Sequence, residues 1–179
     1  MDLTGGWLLP AAWAALAVTI VVCALRASHD PRALRLGIVA VSALWLVAGA
    51  AANAWMLADG STYAGFADGS PIAFVRDTWE SLVVPHHHVF VGLLIAGEAL
   101  AGALVLVPGR AREATLLALI GFNATLVVFG WGFLVWAVPL VTSLALLRRA
   151  ERLRSLPRRP SGGASSAHRR SPRSHVPSP

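Results

Sequence analysis

The hydrophobic and polar positions divide the chain into long apolar runs separated by polar breaks. Three runs cover residues 7–25, 36–57 and 85–107. Each is long enough to cross a bilayer as one helix, because about 20 helical residues span a hydrocarbon core of about 30 Å. The pattern therefore predicts an all-α fold, a polytopic transmembrane helical bundle.

A further apolar run is ambiguous, because it extends over 34 uncharged residues. As one helix it would be about 50 Å long, and as two it gives short passes of about 16 residues that need local membrane thinning. The arginines favour two helices, residues 114–130 and 132–150, with a turn at Gly130–Gly132. The short-loop arginines and those near the C-terminus then share one side of the membrane, opposite the long loop, which contains only Arg76. We expect five membrane segments rather than four, in the cell membrane, with the N-terminus outside.

The composition agrees with a membrane protein, since 56% of the residues are hydrophobic and soluble domains contain about 45–50%. Cys23 is the only cysteine, which excludes an internal disulfide and a CxxC redox pair. A cleaved signal peptide is not expected, because Asp2 and no arginine precedes the first apolar run.

The formal charge of +6 arises from the C-terminal part of the chain, where nine of the fifteen arginines follow residue 147. Residues 157–179 are rich in Arg, Pro and Ser and have almost nothing to bury, which predicts a disordered cytoplasmic tail after a helical domain of residues 1–156. The tail should attract anionic lipid headgroups. Nucleic acid is not an expected partner, because the tail has no aromatic residue to stack on a base.

A few polar residues lie within the apolar runs. Glu98 lies about 18 Å along its helix from His86, near the bilayer midplane, where ionisable residues are costly and often functional. The alternative is a protonated Glu98 that only hydrogen-bonds a neighbouring helix. Asn123 lies at a comparable depth and could pair with Glu98, whereas Asn53 should form an ordinary interhelical hydrogen bond. His87 shares a face with Glu98 about 16 Å away, so the two are predicted to be the mouth and floor of a polar track for a ligand or protons.

The same helix begins with three successive histidines, His86, His87 and His88. Successive helical residues point about 100° apart, so all three cannot bind one metal ion. His86 and His87 could bind zinc or copper together with Glu80 of the preceding loop. Alternatively, the histidines only sit at the membrane boundary, or they relay protons or sense pH.

The long loop before these histidines is acidic and contains or adjoins four aromatic residues, Trp55, Tyr63, Phe66 and Trp79. Aromatic residues are enriched at membrane–water interfaces. This cluster therefore indicates interfacial anchors.

The stretch FVGLLIAGEALAGALVLVPGRAREATLLALI, Phe90–Ile120, resembles the central part of DoxX-like small membrane proteins. They have a helix with a Glu followed by small residues (here Gly97, Ala101 and Gly102, a surface for close helix contact), a Leu/Val run, a turn with Gly and Arg, and another apolar helix. The resemblance covers about half the chain, and the extra N-terminal segment and the two short final helices depart from it. It implies a role beside quinone-linked redox or oxidative-stress complexes, with Glu98 as the family's polar intramembrane residue.

The leading functional hypothesis is an accessory or ligand-binding component of such a complex rather than an enzyme, with a quinone or a metal ion as the cofactor and another membrane protein as partner. One alternative is a small proton-coupled transporter or channel that uses the His–Glu track. Another is an assembly or structural factor recruited by its basic tail.

Overall fold

The chain folds into five long helices joined by three short connections and one long one, in the computed structural model, which describes residues 7–155. Each long helix is long and apolar enough to cross a membrane, and the described range contains no strand. The predicted all-α membrane bundle is therefore confirmed, with five segments. The helices are α1 (Leu8–Arg26), α2 (Pro31–Ala58), the short α3 (Ala73–Thr78) in the long connection, α4 (His87–Leu104), α5 (Arg110–Phe129) and α6 (Gly132–Ser155). The predicted tail, residues 157–179, and its lipid contacts lie outside the described residues.

The ambiguous apolar run is divided at Gly130, whose φ of 141° is accessible mainly to glycine. The two resulting apolar spans contain 20 and 23 residues. They are longer than predicted, because α5 already begins at Arg110 and α6 continues past the apolar run to its arginines. The predicted helix ends are therefore corrected, but the uncharged parts, residues 114–129 and 132–147, are as short as predicted. Pro139 lies inside α6 without ending it.

Charged side chains at these extended helix ends pair across the α5–α6 contact. Arg112 of α5 donates to Glu151 of α6 at 2.8 Å. Glu113 of α5 accepts from Arg148 at 3.2 Å and also pairs with Arg152. The charged residues at these helix ends therefore neutralise one another where the two helices leave the apolar layer.

Two arginines also cap helix ends, whose last carbonyl groups lack partners within the helix. Arg112 donates through Nε to the carbonyl oxygen of Val105 at 2.8 Å and through Nη2 to that of Leu106 at 2.9 Å, just after α4. Arg154 donates to the carbonyl oxygen of Ala27, just after α1, at 2.8 Å. We call this end of the bundle the arginine end, and the opposite end, with the long connection of residues 59–86, the loop end.

The half of the bundle near the arginine end is filled by apolar side chains. α2 packs against α1 and α4, and α6 packs against α1 and α5, whereas α4 and α5 touch less. The largest contributors to this core are Ile20, Leu34, Ile38, Val41, Leu44, Val105, Leu116, Leu144 and Leu147. The large space between the helices lies toward the loop end.

Close contact between α2 and α4 near the arginine end depends on Gly102. A Cβ at Gly102 would lie 2.6 Å from Cγ of Leu46. Ser42 also donates to the carbonyl oxygen of Gly102 at 2.7 Å. Of the predicted small-residue surface, Gly102 is in tight contact, whereas a Cβ at Gly97 would have no neighbour within 4 Å.

Gly102→Ala should therefore lower the free energy of unfolding by about 1–3 kcal/mol, because the added methyl group forces α2 and α4 apart. Gly97→Ala is the matched control on the same helix. It should raise stability by about 0.5–1 kcal/mol, since glycine is unfavourable inside a helix. Thermal denaturation of the purified proteins in detergent measures both effects. A Gly102→Ala protein as stable as the Gly97→Ala protein would contradict the close contact.

Candidate ligand-binding cavity

The half of the bundle near the loop end contains a partly open cavity of about 970 Å³. All five long helices and the long connection contribute to its wall. Of the chain's seven Trp, six Phe and one Tyr, eleven line this cavity. A volume of this size accommodates a drug-sized ligand. The aromatic lining residues are Trp13, Trp45, Tyr63, Phe66, Trp79, Phe90, Phe122, Phe129, Trp131, Phe133 and Trp136.

Among the described residues of the wall, one has a carboxyl group, Glu98, and it is only 8% exposed. Asn53 of α2 donates through Nδ2 to Oε2 of Glu98 at 2.9 Å. The hydroxyl of Tyr63 in turn donates to Oδ1 of Asn53 at 3.1 Å. Burial raises the pKa of Tyr63 and the negative charge of Glu98 raises it further, so this hydroxyl keeps its proton at neutral pH. The three side chains form a fixed chain of hydrogen bonds along the wall.

The local backbone of α2 makes room for this carboxyl group. Residues Leu44–Ala51 form π-helical turns inside α2, a wide geometry that is frequent at functional sites. Gly49 lies in these turns, and a Cβ there would lie 3.0 Å from both Cδ and Oε1 of Glu98. The missing side chain at Gly49 therefore lets Glu98 pack directly against the α2 backbone.

Aromatic residues of the long connection cover part of the cavity at the loop end. Phe66 stacks on Trp79 with ring centroids 4.9 Å apart and meets the edge of Phe129 at 5.0 Å. Trp79 donates through Nε1 to the carbonyl oxygen of Tyr63 at 2.9 Å. Tyr63 has a φ of 57°, a strained value for a residue other than glycine. The hydrogen bonds of its hydroxyl and its carbonyl oxygen hold it in this conformation.

This aromatic cover is attached to the turn between α5 and α6. The buried Ser70 donates through its hydroxyl to the carbonyl oxygen of Val128 at 2.5 Å. Arg76 donates to the carbonyl oxygen of Ser70 at 2.5 Å. Gly130 packs so closely that a Cβ would lie 2.6 Å from the carbonyl oxygen of Gly69. The long connection is therefore a fixed part of the cavity wall.

This cover changes the interpretation of the loop aromatics as interfacial anchors. Tyr63, Phe66 and Trp79 line the cavity, because the connection folds back over the bundle. Trp55 does not line it and is 54% exposed, as an interfacial residue would be.

Glu98, Asn53 and Asn123, the three intramembrane candidates, all line the cavity. The pairing of Glu98 with Asn123 that the sequence allowed is not formed, because Glu98 pairs with Asn53 and Asn123 donates to the carbonyl oxygen of Leu119 in its own helix at 2.7 Å. The physical reason is helix spacing. α2 and α4 meet at glycines, whereas the cavity separates α4 from Asn123 on α5.

The histidines are placed differently from the prediction. Nδ1 of His87 lies 2.8 Å from the carbonyl oxygen of Val84, and its ring packs on that of His88. Neither these two nor His86 is among the residues that line the cavity, so within the described residues the polar track from His87 to Glu98 is not formed. His86, His87 and Glu80 are also not gathered as metal ligands, since no three His, Cys, Asp or Glu side chains in residues 7–155 could hold a metal ion together.

Sequence reasoning missed Trp45 as a lining residue. Trp45 is buried in the cavity wall, and within the described residues its indole Nε1 has no hydrogen-bond partner. An orphaned buried donor costs about 1–3 kcal/mol. Trp45 lies inside a uniformly apolar run, so nothing in the sequence around it indicated that it lines a cavity. A signal did exist at residues 129–136, FGWGFLVW, where four aromatic residues cluster around a turn.

The fold and the cavity together define a multi-pass helical membrane protein with a pocket between its helices that is lined by aromatic side chains. No protein-family model, no curated protein and no solved structure matches the chain. The resemblance of Phe90–Ile120 to DoxX-like proteins therefore stays a prediction.

Proposed function

We propose that this protein binds a lipophilic small molecule in the cavity at its loop end. The observation that carries the proposal is the cavity of about 970 Å³ with an aromatic wall and one hydrogen-bonded carboxylate. Protein interiors are normally close-packed, and large voids cost stability. A bound molecule would recover that cost by filling the space.

The distribution of polar groups supports a ligand site. Ligand pockets are mostly apolar, with a few convergent polar groups that fix orientation. Here these are the carboxyl group of Glu98, the amide of Asn123, the hydroxyl of Tyr63 and the unpartnered indole N–H of Trp45. A quinone fits such a lining, as the DoxX-like resemblance suggests, because its rings stack on aromatic residues and its carbonyl oxygens accept hydrogen bonds.

Binding is favoured over the alternative of a proton-coupled channel. The arginine end is filled by fully buried side chains such as Leu116, Leu144 and Leu147. The cavity therefore ends inside the bundle. A role as the ligand-binding component of a redox or stress-related membrane complex is part of this proposal.

The proposal also includes the orientation in a cell membrane. Nine of the ten arginines in the described residues lie at the arginine end, and Arg76 alone lies at the loop end. Positively charged residues accumulate on the cytoplasmic side. The cavity then faces the outer leaflet.

The test uses a short-chain benzoquinone and tryptophan fluorescence, because five of the seven Trp residues line the cavity. Quenching should be saturable in the wild-type protein. Ala48→Phe places a ring in the cavity and should weaken binding roughly tenfold or more, a loss of about 1.4 kcal/mol. Ala51→Phe is the matched control, because Ala51 is exposed in the same π-helical segment.

Two results would contradict the proposal. One is quenching that rises linearly with concentration, as simple partition into detergent gives. The other is an equal response of the Ala48→Phe and Ala51→Phe proteins.

A further inference from the structure

The electrostatics of the cavity distinguish between classes of lipophilic ligand. Among the described residues that line it, Glu98 is the only Asp, Glu, Lys, Arg or His. Its Oε2 accepts one hydrogen bond, from Asn53, and Oε1 accepts none from the described residues. A buried carboxylate is stabilised strongly by a partner of opposite charge. The described residues supply no such partner in the cavity. This arrangement favours a positive charge on the ligand.

The aromatic rings favour the same sign of charge. The face of an aromatic ring carries partial negative charge, and a cation within about 6 Å of a ring centroid is attracted to it. Phe66, Trp79, Phe129 and Phe133 form one connected cluster in the wall, with neighbouring centroids 4.9–6.3 Å apart. Trp45 and Phe122 form a separate edge-to-face pair. Both groups of rings line the cavity, so a bound cation has aromatic faces available to it.

The surroundings of the cavity would also concentrate cations. The long connection, residues 59–86, contains four acids and a single arginine. Surface charge of one sign raises the local concentration and the association rate of ligands with the opposite sign. The acids are Asp59, Asp68, Asp77 and Glu80.

We infer that the preferred ligand of this cavity is a lipophilic organic cation, an aromatic or alkyl ammonium compound, with Glu98 as its counter-charge and the aromatic wall as its cage. This inference rests on the proposed ligand-binding function. Anions are disfavoured, because no arginine or histidine lines the cavity among the described residues. A neutral quinone fills the same space without using the carboxylate.

The experiment compares two ions of nearly equal shape and opposite charge, tetraphenylphosphonium and tetraphenylborate. Both are titrated into the full-length protein in neutral detergent, with tryptophan fluorescence as the readout and the short-chain benzoquinone in parallel. Tetraphenylphosphonium should bind roughly tenfold more tightly than tetraphenylborate, or better, because of the buried carboxylate. Glu98→Gln keeps an oxygen for the hydrogen bond from Asn53 and removes the charge. It should weaken tetraphenylphosphonium binding roughly tenfold and leave benzoquinone binding unchanged.

The outcomes separate the two proposals. Saturable benzoquinone binding with no preference for tetraphenylphosphonium overturns the cation inference and leaves the binding function in place. Saturable binding of neither probe overturns both. The comparison of the two ions on the wild-type protein needs no variant, so the inference is tested even if Glu98→Gln does not fold.

Discussion

Arg112→Met is expected to lower the free energy of unfolding by about 2–4 kcal/mol, since it removes several charged hydrogen bonds at partly buried positions. Arg112 pairs with Glu151 and caps the carbonyl oxygens of Val105 and Leu106, so one side chain ties α4, α5 and α6 together. Its side chain is only 16% exposed. The variant also leaves the carboxylate of Glu151 without this partner. Thermal denaturation in detergent measures the loss.

Arg110→Met is the matched control for this change, because Arg110 is exposed and lies two residues away on the same helix. It should change the stability by less than about 0.5 kcal/mol. Arg112→Lys should be intermediate, since a lysine keeps the charge but cannot make the planar, forked set of hydrogen bonds. Equal melting temperatures for Arg112→Met and Arg110→Met would show that the arginine end does not stabilise the bundle.

Gly130→Ala is expected to have the second large effect, on the cover of the cavity. Its φ of 141° and ψ of 166° lie in a region that is essentially restricted to glycine, and another residue there costs about 1–3 kcal/mol. The added methyl group would also meet the carbonyl oxygen of Gly69 at 2.6 Å. The turn and the long connection must therefore separate. Faster hydrogen exchange in residues 59–72 and a lower melting temperature should both result.

The control for this variant is Gly132→Ala, two residues further along. A Cβ at Gly132 would have no neighbour within 4 Å. The control should therefore leave exchange in residues 59–72 unchanged. Unaltered exchange in the Gly130→Ala protein would mean that the turn does not anchor the cover.

The helical architecture could be predicted because hydropathy and arginine distribution report directly on membrane crossing. The turn at Gly130–Gly132 could be predicted from the arginines, which share one side of the membrane if the uninterrupted apolar run is divided there. The true helix lengths could not be predicted. Arg112 and Glu113 interrupt the apolar pattern, but their ion pairs with α6 allow the helix to continue through them.

The cavity could be predicted only in part. Glu98 and Asn53 are conspicuous because polar residues at membrane depth are costly. Their pairing depends on the close approach of α2 and α4 at glycines, which a one-dimensional pattern does not contain. The inward position of Phe66 and Trp79 depends on the contact between Gly69 and Gly130, 61 residues apart in sequence. The same aromatic residues therefore looked like membrane anchors.

The fold suggests how stability and binding are divided along the bundle. At the arginine end, ion pairs, helix caps and a close-packed core hold the helices together. At the loop end, aromatic side chains line a space between the helices rather than fill it. This division allows a ligand site to exist without loss of the fold.

Native mass spectrometry of the full-length protein, purified in mild detergent, tests the central claim most directly. The account predicts a small molecule of defined mass bound in stoichiometric amount to the wild-type and Ala51→Phe proteins and absent from the Ala48→Phe protein. The same spectrum for all three proteins, with only bulk lipid and detergent bound, would contradict the claim that the cavity is a ligand-binding site.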